Sequence, residues 1–176
     1  MKKFPVLLVL LLAVQFVSAQ TDKGAWLVGG TLSLNTTEKN TSFAVSPNAG
    51  FFILDNFMLG GRLNYEYSQL GEIKLSTFGG GPFTRYYFHG TKARPFGELD
   101  VNFESTTLKT SIESTTESAI GFFIGGGVAL FISDNVALET IMGYQNTKIE
   151  NQPGKGGFNM RIGFQVYISR LGKLVK

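Results

Sequence analysis

The 176-residue sequence contains no cysteine and one histidine, and these two scarcities exclude several kinds of site. Without cysteine the chain has no disulfide, no thiolate metal site and no lipid anchor attached to a cysteine. A metal site would have to combine carboxylates with the single imidazole of His89, which lies beside Gly90 in a predicted turn. We therefore predict no metal site and no cofactor.

Long apolar runs are also scarce, and the one that exists lies at the N-terminus. Lys2 and Lys3 precede an unbroken apolar run at residues 6–14, and residues 17–19 offer small or compact side chains for cleavage. This arrangement is typical of a secretory signal peptide, which we predict over residues 1–19. The run is shorter than the ~20 residues of a spanning helix, which weighs against the alternative of a retained anchor.

The charge pattern gives no indication of a nucleic-acid partner. The formal net charge is +3, and the predicted signal segment holds two lysines and no acidic residue. Its removal would leave a nearly neutral chain whose charges are spread along its length, whereas nucleic-acid binding requires a basic patch.

The remaining sequence is rich in residues that favour strands. It has 16 Phe, six Tyr and 22 Gly, and after residue 20 it shows no apolar stripe of helical period. Apolar and polar residues instead alternate, most clearly at 57–68, 94–104 and 158–168. The pattern predicts an all-β fold, an eight-stranded antiparallel up-and-down barrel. Its strands are expected at 24–35, 42–54, 57–69, 73–88, 93–105, 117–132, 136–147 and 157–169.

The connections between these strands alternate in length. Tight turns are predicted at 55–56, 89–92 and 133–135, and mostly longer, Thr- and Ser-rich loops at 36–41, 69–72, 106–116 and 148–156. Short turns on one side and long loops on the other are typical of barrels in the outer membrane, where the short side faces the periplasm. An even number of strands would then leave both mature termini in the periplasm.

Alternation alone does not decide which face meets water. A soluble, lipocalin-like barrel turns its apolar face inward, whereas a membrane barrel turns it toward lipid. The strand lengths, the signal peptide and a predicted aromatic girdle favour the transmembrane barrel. The girdle residues are Trp26, Phe57, Tyr65, Tyr67, Phe83 and Tyr144.

A polar interior can hold charges only if they pair, because an unpaired buried charge is very costly. We predict a structural ion-pair network inside the barrel, with Lys74 also on the polar face. Its members are Arg62, Glu66, Arg85, Glu98, Asp100, Glu139 and Arg161. A β-bulge at Gly81-Pro82 is expected to turn Arg85 inward, and the glycine runs at 79–81 and 125–127 lack the Lys-Ser/Thr that follows a phosphate loop.

At Gly81-Pro82-Phe83-Thr84-Arg85-Tyr86-Tyr87-Phe88 and at the Ala19-Gln20 junction, the sequence resembles the small outer-membrane β-barrel proteins of Bacteroidota-type bacteria. That family is similar in architecture to OmpX and to the barrel domain of OmpA. The resemblance implies a barrel over residues 20–169, insertion by the barrel-assembly machinery, and a role in envelope integrity or surface contact. Residues 170–176 would form a short basic C-terminal tail in place of a closing aromatic residue.

No catalytic constellation emerges from the sequence. Asp100 could pair with Glu98 or Glu104 as two carboxylates, but facing arginines favour a structural role, and we predict that the protein is not an enzyme. Three functions remain: a structural envelope barrel in outer-membrane lipid, a narrow porin-like channel, or a soluble periplasmic ligand-binding barrel. In the first, the loop at 106–116 would extend its strands as a ribbon that a protein partner could join.

Overall fold

The computed structural model describes residues 21–36, 40–70, 73–109, 114–149 and 153–168, which form eight antiparallel strands. The strands are β1 (Trp26–Thr36), β2 (Asn40–Leu54), β3 (Phe57–Leu70), β4 (Ile73–Tyr87), β5 (Ala93–Lys109), β6 (Ser114–Phe131), β7 (Val136–Ile149) and β8 (Lys155–Ile168). The predicted all-β fold and its eight strands are confirmed. Within these ranges no helix is long and apolar enough to cross a membrane.

Each strand pairs with the next one in the sequence, and β8 pairs with β1 to close the barrel. The β1–β8 register runs from Trp26–Ile168 to Thr31–Gly163. The strands contain between 11 and 18 residues. Since a tilted strand crosses a bilayer with about 9–11 residues, every strand is long enough to span one.

The connections define two different ends of the barrel. The short connections at 55–56, 88–92 and 132–135 lie at one end, here called the turn end, where Asn56 adopts a left-handed conformation with φ 65°. At the opposite loop end the predicted loop 106–116 is largely strand, because β5 continues to Lys109 and β6 begins at Ser114. The hydroxyls of Thr107 and Thr116 lie 3.1 Å apart across this extension.

The barrel is apolar outside and charged inside. Outward positions hold large apolar side chains, among them Phe158, which is 74% exposed, and Leu63, which is 56% exposed. Inward positions hold charged groups such as Arg85 and Glu98, each 2% exposed. This is the inverse of a water-soluble barrel, whose apolar face turns inward.

The predicted aromatic girdle is correct in part. Trp26 is half exposed and packs against Phe51 with ring centroids 5.0 Å apart, and Tyr65 and Tyr144 are exposed on the outward face. Phe83, however, lies inside the barrel and is 3% exposed, so its assignment to the girdle is wrong. The error arises because aromatic side chains also occupy polar-face positions in this chain.

The predicted bulge at Gly81-Pro82 is wrong as well. The β3–β4 register is unbroken from Phe57–Tyr86 to Leu70–Ile73, and Arg85 reaches the interior by regular alternation. The irregularity lies in β2, between Phe52 and Leu54. In the same regular alternation Lys74 shares the outward face with Phe78, so its assignment to the interior is also wrong.

Residues 21–25 close the turn end. The N–H of Asn56 donates to the carbonyl of Thr21 at 2.8 Å, and the N–H of Gly24 donates to the carbonyl of Phe52 at 2.8 Å. The guanidinium of Arg94 donates to the hydroxyl of Thr21, which is itself buried. The segment before β1 therefore caps the barrel from below.

Candidate functional site

The interior of the barrel consists of three layers between the turn end and the loop end. Buried apolar and aromatic side chains form the first layer above the cap, including Leu27, Phe52, Met58 and Phe131. A network of charged side chains forms the second layer, and a polar cavity open to the loop end forms the third. The second layer is the candidate functional site, since it contains the buried charges of the barrel.

Glu98 on β5 lies at the centre of this network. Its Oε1 accepts hydrogen bonds from Arg62 Nη2 at 3.0 Å and from Arg161 Nη2 at 3.2 Å, and its Oε2 accepts one from Arg85 Nε. These arginines come from β3, β8 and β4. One carboxylate therefore connects four strands through the middle of the barrel.

Asp100 extends the network toward the loop end. Its Oδ2 lies 2.8 Å from Arg62 Nη1 and 3.1 Å from Arg161 Nη2, and its Oδ1 accepts a hydrogen bond from Asn102 Nδ2 at 2.5 Å. Arg62 on β3 therefore bridges the carboxylates of Glu98 and Asp100, and Arg161 on β8 contacts the same two carboxylates.

Glu139 on β7 extends the network toward the turn end. Arg85 Nη1 donates to Glu139 Oε2 at 2.7 Å, and the Tyr167 hydroxyl donates to Glu139 Oε1 at 2.6 Å. The Tyr87 hydroxyl accepts from Arg85 at 3.2 Å and lies 3.0 Å from that of Tyr167. Three arginines thus face three carboxylates, so the formal charges of the layer cancel.

Aromatic rings support the arginines from below and from the side. Arg62 and Arg85 lie over the ring of Phe83 at 4.9 and 5.2 Å from its centroid, and Arg85 also lies 4.6 Å from that of Phe96. Arg161 lies 4.0 Å from the centroid of Phe123. Such cation–π contacts are stronger where water is excluded, as it is around the buried side chains of Arg62 and Arg85.

Gly125 and Gly127 provide space for two of these rings. A Cβ atom at Gly125 would lie 2.4 Å from Phe123 Cζ, and one at Gly127 would lie 2.6 Å from Phe96 Cζ. These two glycines are therefore positions of close approach inside the barrel, which is a known use of glycine in strands.

The third layer is a polar cavity of about 480 Å³ above the network. Its walls include Asn64, Glu66, Glu104 and Gln145, and Arg161 lies at its lower boundary. The side chain of Arg161 keeps 18% of its surface exposed there, whereas that of Arg62 keeps 3%. The network thus separates a polar space on the loop side from an apolar layer on the turn side.

The structure brings six of the seven predicted network residues together. Glu66 is the exception, because it lies four residues beyond Arg62, two inward positions closer to the loop end, and is exposed in the cavity wall. Tyr87 and Tyr167 belong to the network although the sequence reasoning missed them. The signal for Tyr87 was its place two residues after Arg85, on the same face of β4.

The arrangement offers no catalytic base, since each carboxylate of the network is bound by at least one guanidinium. His89 lies exposed in the turn at 88–92, far from these groups in the fold. Within the described ranges, no group of three or more His, Cys, Asp or Glu side chains is arranged to hold a metal ion.

Replacing Glu98 by Gln tests the energetic role of the network. The variant would leave three buried arginines with a neutral partner, and breaking a buried ion pair in this way costs about 3–5 kcal/mol of the free energy of unfolding. We expect a loss of that order in urea titrations of the protein refolded into lipid vesicles. Glu66→Gln is the matched control and should change the stability by less than about 1 kcal/mol, because Glu66 is exposed. Equal losses in both variants would contradict the assignment.

Comparison with known proteins agrees with this architecture. The N-terminal barrel domain of Pseudomonas aeruginosa OprF is similar in structure, with a TM-score of 0.58 and 15% identity, over 85% of this chain and all of that one. Neisserial surface protein A has a TM-score of 0.54 and 14% identity, over 81% of this chain and 93% of that one. OprG of Pseudomonas aeruginosa has a TM-score of 0.52 and 10% identity, over 86% and 99%.

At these identities the solved structures establish the fold alone. No curated protein sequence matches the chain significantly. A protein family does: its description is "Outer membrane protein beta-barrel domain", and the match covers residues 4–166. With an apolar exterior, a paired charged interior and a match over nearly its whole length, the chain belongs to this family of outer-membrane β-barrel proteins.

Proposed function

We propose that this protein is a structural component of the outer membrane, without catalytic activity, whose loops contact other molecules at the cell surface. The observation that carries the proposal is the obstructed interior. Between the turn end and the cavity, Glu98 and its three arginines are bound to one another across the barrel. Such a layer stabilises the barrel, and it supports an interior without a continuous path for a solute.

The proposed placement follows from the difference between the short connections at the turn end and the longer ones at the loop end. Residues 1–19 would direct export and be removed, residues 20–169 would form the barrel, and residues 170–176 would be a basic tail. Thr21 and Ile168 both lie at the turn end, which supports placing the two mature termini in the periplasm. Insertion would require the barrel-assembly machinery, because the barrel closes only when its first strand, β1, pairs with its last strand, β8.

A narrow channel is the alternative that the cavity favours. The cavity of about 480 Å³ opens to the loop end, but Arg161 and Asp100 lie at its base. Below them the aromatic layer and residues 21–25 fill the remaining space.

A soluble ligand-binding barrel would need a polar exterior, whereas the outward face here carries side chains such as Leu63 and Phe158.

The loop end also offers an edge to a protein partner. The last described pair between β6 and β7 is Ala119–Ile149, whereas β6 continues to Ser114. Along residues 114–118, β6 pairs with β5 on one side only among the described residues. We propose that a partner at the loop 106–116 adds a strand to this edge, as extended peptides do at open sheet edges.

Single cysteines test the membrane orientation, since the natural chain contains none. Spin labels at Leu63→Cys and Ile162→Cys should collide with oxygen dissolved in the bilayer and be shielded from a water-soluble nickel chelate. Lys92→Cys in the turn at 88–92 is the control and should show the reverse. Nickel access at positions 63 and 162 equal to that at 92 would overturn the membrane orientation.

Planar-bilayer recordings distinguish the structural barrel from the channel. We expect protein with heat-modifiable migration, which reports a folded barrel, to give no steady current above that of the bare membrane. The reason is the ion-paired layer at Glu98, which leaves no aqueous path. Steady steps with ion selectivity would instead establish the narrow channel.

Hydrogen exchange tests the proposed strand addition. The amides of residues 114–118 that point away from β5 should exchange rapidly in the purified protein and slowly in native outer-membrane vesicles, where the partner is present. The variant Thr116→Pro, which removes a donor at this edge, should lose the protection at neighbouring amides. Identical exchange in both preparations would exclude a bound strand.

A further inference from the structure

The outer wall of the barrel carries a groove near the loop end. Its volume is about 860 Å³, and its floor consists of the small residues Gly80, Ser105 and Ser118 on β4, β5 and β6. Large apolar side chains border this floor. They are Leu63, Phe78, Phe103 and Ile120, all exposed on the outward face.

The groove follows from the register of the strands. Leu63, Gly80, Phe103 and Ile120 are cross-strand neighbours in one row, and Gly80 leaves a gap in it. Ser105 and Ser118 are also paired, so a second pair of small residues continues the gap above that row. A depression wide enough for a hydrocarbon chain results, with walls that match such a chain in polarity.

Lysines border the groove where it approaches the loop end. Lys148 lines it and is cross-strand neighbour to Ile120, and Lys74 is exposed on the outward face above Phe78. Lys148 lies twelve residues beyond Val136 at the start of β7, and Lys74 thirteen residues before Tyr87 at the end of β4. At about 2.5 Å of height per tilted residue, both lie roughly 30 Å above the turn end, at the edge of an apolar band ≈ 25 Å tall.

No carboxylate of the described strands lies beside these lysines on the outer wall. By the alternation of each strand, every Asp and Glu of the described strands occupies an inward position. Among the described residues, Lys74 and Lys148 are therefore two cations at one level without a carboxylate on the same wall, separated by the width of β5 and β6. A second copy of the chain would bring lysines against lysines and supply no opposite charge.

We propose that this groove binds a phosphorylated, multi-acylated lipid of the outer leaflet. One acyl chain lies along Ser105 and Ser118 between the bordering apolar side chains, and Lys148 and Lys74 pair with phosphates of the headgroup. The proposal rests on the proposed function, because it requires the loop end to lie at the outer surface. It adds a specific ligand class to that function.

Native mass spectrometry of the folded protein in detergent tests the proposal. The probe is bis-phosphorylated lipid A, compared with the same glycolipid lacking both phosphates and with inorganic phosphate alone. We expect a one-to-one adduct with the phosphorylated lipid and neither of the others. Lys148→Glu and Lys74→Glu should each weaken the adduct about fivefold or more, the contribution of one basic residue near an anionic lipid surface.

Two further variants separate the groove from simple charge attraction. Ser118→Phe fills the floor and keeps both lysines, and should weaken the adduct by a similar factor. Lys92→Glu makes the same charge change in the turn at 88–92 and should leave it unchanged. Each variant is first checked for heat-modifiable migration, so that a loss of folding is not taken for a loss of binding.

The outcomes are decisive in both directions. Equal adducts with and without phosphate, or an unaffected adduct in Ser118→Phe, would overturn the proposal, as would equal loss in Lys92→Glu. Failure of the proposed function would be seen separately, as nickel access at positions 63 and 162 in the bilayer. A protein that passes the spin-label test and does not discriminate between the lipids would contradict the lipid site alone.

Discussion

The structure depends on pairing the charges that are buried in the middle of the barrel. Glu98 accepts hydrogen bonds from arginines on three other strands, and Arg85 passes the connection on to Glu139. In a medium of low dielectric constant, burying any one of these charged groups without a partner would be very costly, and pairing with an opposite charge offsets that cost. The network therefore fixes which strands face each other across the barrel, and the glycines at 125 and 127 exist where its supporting rings need room.

The same constraint shapes the exterior. Hydrocarbon forbids unpaired polar backbone, so the sheet has to close on itself and show lipid only apolar side chains. Charged side chains return to the outer wall at Lys74 and Lys148, the level at which we propose that the wall meets lipid headgroups. The inner and outer surfaces thus follow one rule, namely that a charge is kept where a partner or water can reach it.

Much of the fold could be predicted from the sequence, because alternation assigns each side chain of a strand to one of two faces. That is sufficient for the eight strands and for the inward direction of Arg62, Glu98 and Arg161. Alternation does not encode height within the barrel, so it groups Glu66 with a network that lies below it. Nor does it assign a face where apolar residues change parity, as between Leu75 and Phe78, and there the sequence predicts a bulge that the β3–β4 register lacks.

The seam between the first and last strands has a mechanical consequence. Its described register covers six residue pairs, whereas that between β5 and β6 covers 17. Since rupture of a cylinder begins where fewest bonds must break together, a pulling or prying force would unzip this wall at β1 and β8. The other seven strand pairings would remain as one curved sheet, which could close again by pairing β1 with β8.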